Sequence, residues 1–158
     1  MALFFELYVE FSRESGDSAA CEAHFFDWVY QGEDLDLHSR VRTMTRNDGS
    51  YGVVVYPSGL SESGIHSAED ATAMSAAGHA LLQSLKDCSG YQFALVGIEV
   101  SDMLGIGDLA ETMLPGSPNR DGIVCASELI GDPARIAGLQ EFAPGFCWVP
   151  YEGETFHG

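Results

Sequence analysis

Basic residues are scarce in this sequence. Seven Lys and Arg stand against 24 Asp and Glu among 158 residues, which gives a formal net charge of −17. Such a charge repels phosphate, so we expect neither nucleic acid nor an anionic membrane surface as a partner. A basic protein surface would be attracted. The hydrophobic content of 46% is typical of a folded chain and excludes disorder as the main state.

Metal-binding and redox motifs are also missing. No Cys-x-x-Cys pair and no His-x-x-x-His pair occurs, so the sequence indicates neither a zinc site nor a thioredoxin-like site. The four cysteines are far apart in the sequence, and we interpret them as free thiols packed in the core. They are Cys21, Cys88, Cys125 and Cys147. We therefore predict no metal and no cofactor.

The chain has no long hydrophobic run. Its first residues include no base and reach Glu6, so we expect neither a signal peptide nor a membrane-spanning segment and place the protein in the cytoplasm. The length is typical of one domain, and no repeat or linker divides it. We predict a single globular domain over residues 1–158, with residues 151–158 as an exposed tail.

One stretch near the middle of the chain has the clearest structural pattern. Apolar residues recur there at three- and four-residue spacing, which predicts one long helix over about 67–87. Ser67 is the predicted N-cap, and Asp70 is expected to return a hydrogen bond to the backbone amide of that cap. Residues 91–100 are then predicted to form a largely buried strand.

Alternating apolar residues predict strands before this helix. Residues 3–11 alternate as in a half-buried strand with two glutamates on its outer face. A hairpin is predicted from strands over residues 35–46 and 51–56, because the turn sequence Asn-Asp-Gly-Ser joins them. Residues 19–30 fit either a helix or a strand, and we favour a strand over the second half.

The last third of the chain has weaker patterns. Asp132 followed by Pro133 predicts the start of a short C-terminal helix. Residues 123–129 fit a strand or a helical turn, and residues 146–149 fit a last apolar strand. Together these segments predict an α+β fold, in which a mainly antiparallel twisted sheet packs against the long helix (about 67–87) and the short C-terminal helix.

Three patterns match catalytic motifs only in part. Residues 105–110 fit the dinucleotide-loop pattern G-x-G-x-x-A, but the strand before them ends too early and an aspartate would face the pyrophosphate. Residues 59–64 include the first glycine and the serine of a nucleophile elbow, but the second glycine comes one residue late. Glu6 and Glu10 share a strand face as paired acids would, but at a separation of roughly 13 Å. We therefore assign no catalytic residue.

Charge is distributed unevenly along the chain. The first 36 residues include nine acids and one base. Three of the seven bases lie at even spacing on the first arm of the predicted hairpin: Arg40, Arg42 and Arg46. These arginines either pair with neighbouring acids or protect an edge strand, or they form a basic stripe that anchors an anionic group.

We therefore hypothesise a non-catalytic protein-binding domain, such as an acidic immunity-type inhibitor that neutralises a basic toxin or effector. The likeness to immunity proteins is one of size, acidity and lack of a catalytic signature. Acids with interleaved aromatic residues would steer and anchor a basic partner such as a toxin domain. The candidate partner-binding residues are Asp27, Trp28, Tyr30, Glu33, Asp34, Asp36, Arg40, Arg42 and Arg46.

Two other hypotheses remain. One is a small cytoplasmic enzyme of unidentified class with its site in the glycine-rich loops 57–64 or 101–107, since loops at strand ends commonly carry function. The other is a self-associating structural or accessory protein, in which exposed sheet edges form a homodimer.

Overall fold

The computed structural model of the protein describes residues 2–32, 34–102, 112–113 and 121–158. Within these residues, one antiparallel sheet of eight strands and two α-helices form a single α+β domain, as predicted. The elements are β1 (Phe5–Phe11), α1 (Gly16–Phe26), β2 (Val29–Gln31), β3 (Asp36–Thr45), β4 (Tyr51–Ser58), α2 (Ala68–Leu85), β5 (Phe93–Ile98), β6 (Val124–Ala126), β7 (Gln140–Ala143) and β8 (Phe146–Trp148). The strand order is β2-β3-β4-β1-β5-β6-β8-β7.

Strand β1 is buried on both of its faces. Its odd-numbered residues, among them Leu7 and Val9, pack in a cluster with α1 and α2, and we call this side of the sheet the helix face. Tyr8 packs on the opposite side with Phe93 and with residues from the segment 100–139, and we call this side the loop face. The prediction of a half-buried strand was therefore wrong, because layers from distant parts of the chain cover both faces of the sheet.

Helix α2 confirms the predicted long helix. Ser67 is its N-cap, and the Ser67 hydroxyl accepts a hydrogen bond from the backbone N–H of Asp70 at 3.0 Å. The Asp70 carboxylate accepts from the backbone N–H of His66 at 2.9 Å and not from that of Ser67, so the predicted return bond forms one residue earlier. The buried face of the helix includes the predicted apolar residues from Ala71 to Leu85.

Residues 19–30 contain both a helix and a strand: α1 continues to Phe26, and the strand that we favoured for the second half begins only at Val29. Ser15 caps α1, and the Ser18 hydroxyl oxygen accepts a hydrogen bond from the backbone N–H of Ser15 at 2.8 Å. Cys21 and Phe25, one turn apart, are both buried on the helix face. This burial favours continuation of the helix through Phe25 and Phe26, two of the residues that had favoured a strand.

The predicted hairpin is confirmed. Strands β3 and β4 pair antiparallel from His38 opposite Ser58 to Thr45 opposite Tyr51. The turn between them forms because the Asp48 carboxylate accepts from the backbone N–H of Ser50 at 2.9 Å. This local hydrogen bond is of the kind that favours aspartate in turns.

The C-terminal third differs in detail from the expectation. The predicted C-terminal helix is one turn of 3-10 helix, Pro133–Arg135, and β7 follows it. Residues 123–129 contain both of the alternatives, strand β6 and then a 3-10 turn over Ser127–Leu129. No helix in the described part of the chain is long and apolar enough to cross a bilayer.

Residues 151–158 were predicted to form an exposed tail, but their first half is docked on α2. Tyr151 is only 6% exposed. A Cβ atom at Gly78 would lie 2.6 Å from the Tyr151 ring, so glycine at that position of α2 makes room for the ring. The Ser75 hydroxyl accepts a hydrogen bond from the backbone N–H of Glu154 at 2.8 Å. Residues 155–158 are exposed, as predicted.

Candidate functional site

The predicted partner-binding residues do not form one surface. Tyr30 lies opposite Leu37 in the pairing of β2 with β3, and Trp28 and Tyr30 pack against the helix-face cluster. Side chains alternate along β3, so the even-numbered arginines point to the loop face. The aromatic residues and the arginines are therefore divided between the two sides of the sheet. Glu33 lies outside the described residues.

Two of the three arginines make surface contacts. Arg40 forms an ion pair with Glu62 at 3.1 Å, with both side chains more than half exposed. Its guanidinium also lies 5.6 Å from the centre of the Tyr56 ring. Arg42 donates a hydrogen bond to the Ser101 hydroxyl at 3.4 Å. Arg40 is thus paired with an acid, whereas the hydrogen bond of Arg42 is to a hydroxyl group.

Arg46 takes part in a buried polar network on the loop face. Its Nε lies 2.9 Å from Glu10 Oε1 and donates to the Tyr8 hydroxyl at 2.9 Å. The Tyr8 hydroxyl in turn donates to Glu10 at 3.0 Å. Arg46 also donates to the Ser101 carbonyl at 2.5 Å, and Glu6 accepts from the Ser101 backbone N–H at 2.8 Å. The network ties β1, β3 and the segment after β5 together.

Burial dominates the electrostatics of this network. It raises the pKa of Glu6 and of Glu10, and for Glu10 this effect exceeds the opposing ones of the Tyr8 hydrogen bond and the Arg46 charge. Burial also raises the pKa of Tyr8 to about 12. Glu6 and Glu10 are 2% and 1% exposed. A general acid or base must reach its substrate, so we interpret these two glutamates as structural.

A long concave surface lies on the helix face, between α2 and the sheet, and we call it the α2 groove. It consists of two adjoining cavities of about 770 Å³ and about 440 Å³. Tyr30 and Ala76 line both cavities. The larger cavity lies beside the N-terminal half of α2, and the smaller one extends towards Phe142 and Trp148. Volumes in this range are typical of ligand and anchor-residue sites.

The larger cavity of the α2 groove is acidic. Asp34 from the loop before β3 lines it, together with Glu69 and Asp70 from the first turn of α2. No Lys or Arg is among the described residues that line it. The smaller cavity has one base, Lys86, whose ammonium group lies 5.3 Å from the centre of the Phe142 ring. The field in the groove therefore favours a cation at the end near Asp34.

Only part of the groove was predictable from the sequence. Tyr30 and Asp34 were among the predicted partner-binding residues, whereas Asp27 and Asp36 are exposed outside the residues that line the groove. Sequence reasoning did not identify Glu69 and Asp70 as site residues, and it assigned Asp70 to the helix cap. Nothing in the linear order indicates that Tyr30 and the first half of α2 line one cavity, so no sequence signal could have joined the two sets.

The glycine-rich loops contain one contact of the kind that hydrolases use. The Ser63 hydroxyl and His66 Nε2 are 3.0 Å apart, but both residues are exposed. The nearby Asp70 carboxylate binds the backbone N–H of His66 and not its ring, so the orienting acid of a triad is not supplied by this neighbour. Of the loop 101–107, only residues 101 and 102 are among the described residues.

The described residues include no cluster of three or more side chains suited to a metal ion. All four cysteines are free thiols, and Cys88 is the one that is only partly buried. The sulfur atoms of Cys125 and Cys147 lie 3.8 Å apart on the loop face. A hydrogen bond from the Cys21 thiol lowers the pKa of Cys88.

Comparison of the chain with family models, with curated proteins and with solved structures finds no match. Function must therefore be inferred from the site itself. The α2 groove is the feature that joins a concave shape, aromatic side chains and a charge of one sign.

Proposed function

We propose that the protein is a non-catalytic binding domain that holds a basic segment of another protein in the α2 groove. The observation that supports this proposal is the composition of the larger cavity. Tyr30 lines that cavity together with three acidic residues, Asp34, Glu69 and Asp70, and no Lys or Arg is among its described lining residues.

The physical argument combines long-range attraction with a local anchor. A net charge of −17 accelerates the approach of a cationic protein, an effect that weakens as salt screens the charges. Inside the groove, the Tyr30 ring offers apolar and cation–π contact to a lysine or arginine side chain. The three carboxylates can then pair with its charged end.

In its more specific form, the proposal is an immunity-type inhibitor that acts in the cytoplasm on a basic toxin or effector. An inhibitor of this kind needs a preformed acidic surface and no catalytic group. The α2 groove supplies such a surface on a rigid helix and sheet. The product of a gene adjacent to the one for this protein is the first partner to test.

Charge removal inside and outside the groove tests the proposal. The double variant Asp34→Asn/Glu69→Gln removes two charges from the larger cavity. The control Glu14→Gln/Glu128→Gln removes two exposed charges outside the residues that line it. Binding of the adjacent gene's product, and of a fluorescent peptide of alternating lysine and valine, is measured by titration at about 0.15 M salt.

We expect the groove variant to weaken binding by about tenfold and the control by less than about twofold, since only the groove charges contact the ligand directly. Equal effects of the two variants would show that only the overall charge matters and would overturn the proposed site. Absence of binding by both ligands would overturn the proposed function.

A further inference from the structure

We propose that the basic partner presents an extended segment, which adds a strand to the sheet at the outer edge of β2. This inference rests on the proposed function and specifies how the partner binds. The segment has alternating basic and apolar residues, and it pairs with β2 through its backbone.

On the outer side of β2, the backbone groups have no hydrogen-bond partner among the residues that the structure describes. The backbone N–H of Ser39 donates to the Trp28 carbonyl at 3.1 Å, and that of Gly32 donates to the Leu35 carbonyl at 2.7 Å. The Trp28 carbonyl and the Gly32 N–H therefore point to the side of β3. Since this direction alternates along a strand, Val29 and Gln31 direct their backbone groups away from it.

The same edge is free of a neighbouring strand. Strand β2 is at the end of the strand order, and it pairs with β3 alone among the described residues. Val29 and Gln31 each offer one N–H and one C=O, which gives four backbone groups to an added strand. Unpaired groups of this kind are the usual template for β-strand addition.

Exposed apolar side chains lie in β2 and just before it in the chain. Phe26, the last residue of α1, is 72% exposed, and Val29 is 56% exposed. They are the two most exposed large hydrophobic residues in the described part of the chain. Natural edge strands are commonly protected by charged side chains, lysine above all, and β2 has none. An apolar side chain of the added strand would cover Val29.

The charge around β2 favours a basic segment as the chain that pairs with its outer edge. Asp34 and Asp36 follow β2 in the chain, and Asp27 precedes it. A second copy of this chain, also at −17, would be repelled, whereas a basic segment is attracted. In the added segment, the side chains on the same side of the sheet as Tyr30 would be basic, because the acidic α2 groove opens there. The side chains of that segment on the side of Val29 would be apolar.

The test uses a peptide of about nine residues with alternating lysine and valine, a length that spans β2 with overhang at both ends. A second peptide has the same sequence with every backbone amide N-methylated, so it keeps the charges and side chains but has no backbone donor. We expect the unmodified peptide to bind at least about tenfold more tightly at about 0.15 M salt.

Protein variants locate the edge. Val29→Pro removes one outward N–H and should weaken binding of the unmodified peptide about fivefold. Val29→Thr keeps that N–H and the β-branched shape and should change binding by less than about twofold. Thr43→Pro alters β3 beyond the end of β2 and should also have little effect.

Hydrogen exchange in the unmutated protein gives a readout that does not depend on variant folding. We expect the amides of Val29 and Gln31 to exchange at least about tenfold more slowly when the unmodified peptide is bound. Unchanged exchange at both amides, or equal binding of the two peptides, would overturn strand addition. Binding that still depended on Asp34 and Glu69 would in that case leave the proposed function standing.

Discussion

Glu6 and Glu10 show how two like residues on one strand face take different roles. Both are buried, and burial raises the pKa of both from the usual value of 4.5. Glu10 has the guanidinium of Arg46 at 2.9 Å, whereas Glu6 accepts from the neutral backbone N–H of Ser101. A buried charge without a close counterion costs more than one within an ion pair.

These raised pKa values determine how stability depends on pH. The folded state holds the two protons more tightly than the unfolded state, so stability falls as pH rises from 4.5 through the raised values. We expect the free energy of unfolding, measured with urea between about pH 5 and pH 8, to decrease across that range. The variant Glu6→Gln should flatten this dependence, since its amide oxygen still accepts from Ser101.

At neutral pH, Glu6→Gln and Glu10→Gln should change the free energy of unfolding by different amounts. Glu6→Gln should leave the free energy of unfolding equal to or above that of the unmutated protein. Glu10→Gln should give a lower free energy of unfolding than Glu6→Gln does, because it leaves the Arg46 guanidinium, which is 23% exposed, without its charged partner. Equal losses in both variants would contradict the different roles of the two carboxylates.

Helix α2 and the C-terminal segment fit together at one contact. Gly78 lies on the buried face of the helix, and the Tyr151 ring occupies the space where a side chain would be. Glycine in a helix interior is normally destabilising by about 1 kcal/mol relative to alanine. Because the Tyr151 ring docks at Gly78, we expect glycine to be more stable than alanine at this position, the reverse of the usual helix preference.

A double-mutant cycle tests this contact. We expect Gly78→Ala to destabilise the protein by about 2 kcal/mol, because the new Cβ would lie 2.6 Å from the ring. In the background of Tyr151→Ala, the same change should stabilise it by about 1 kcal/mol. In the background of Tyr151→Phe, which keeps the ring, Gly78→Ala should still destabilise. Additive effects in thermal or urea unfolding would contradict a direct contact.

The charge of the whole molecule opposes self-association. At low salt the repulsion between two copies at −17 extends over about 30 Å, and at about 0.15 M salt over about 8 Å. We expect a mass of 17.0 kDa that does not depend on concentration in sedimentation equilibrium under both conditions. The melting temperature should rise with salt as repulsion within each molecule is screened. A mass that increased with concentration would instead support the homodimer hypothesis.

The sequence alone determined the features that depend on near neighbours in the chain. The cap at Ser67, the apolar stripe of α2 and the Asn-Asp-Gly-Ser turn each involve residues a few positions apart, and each formed as predicted. The acidity is likewise a property of composition. Such local patterns specify a helix or a hairpin wherever the element is placed.

Only the tertiary structure decided the features that depend on distant partners. Strand β1 became fully buried because separate layers cover both its faces, and Arg46 was directed to Glu10 by the pairing of strands through β4. Phe25 and Phe26 joined a helix because Cys21 and Phe25 pack on the sheet. The α2 groove exists because the fold brings Tyr30 and the first half of α2 to one cavity. Residues far apart in sequence meet there, and the energies that bring them together come from burial across the whole fold.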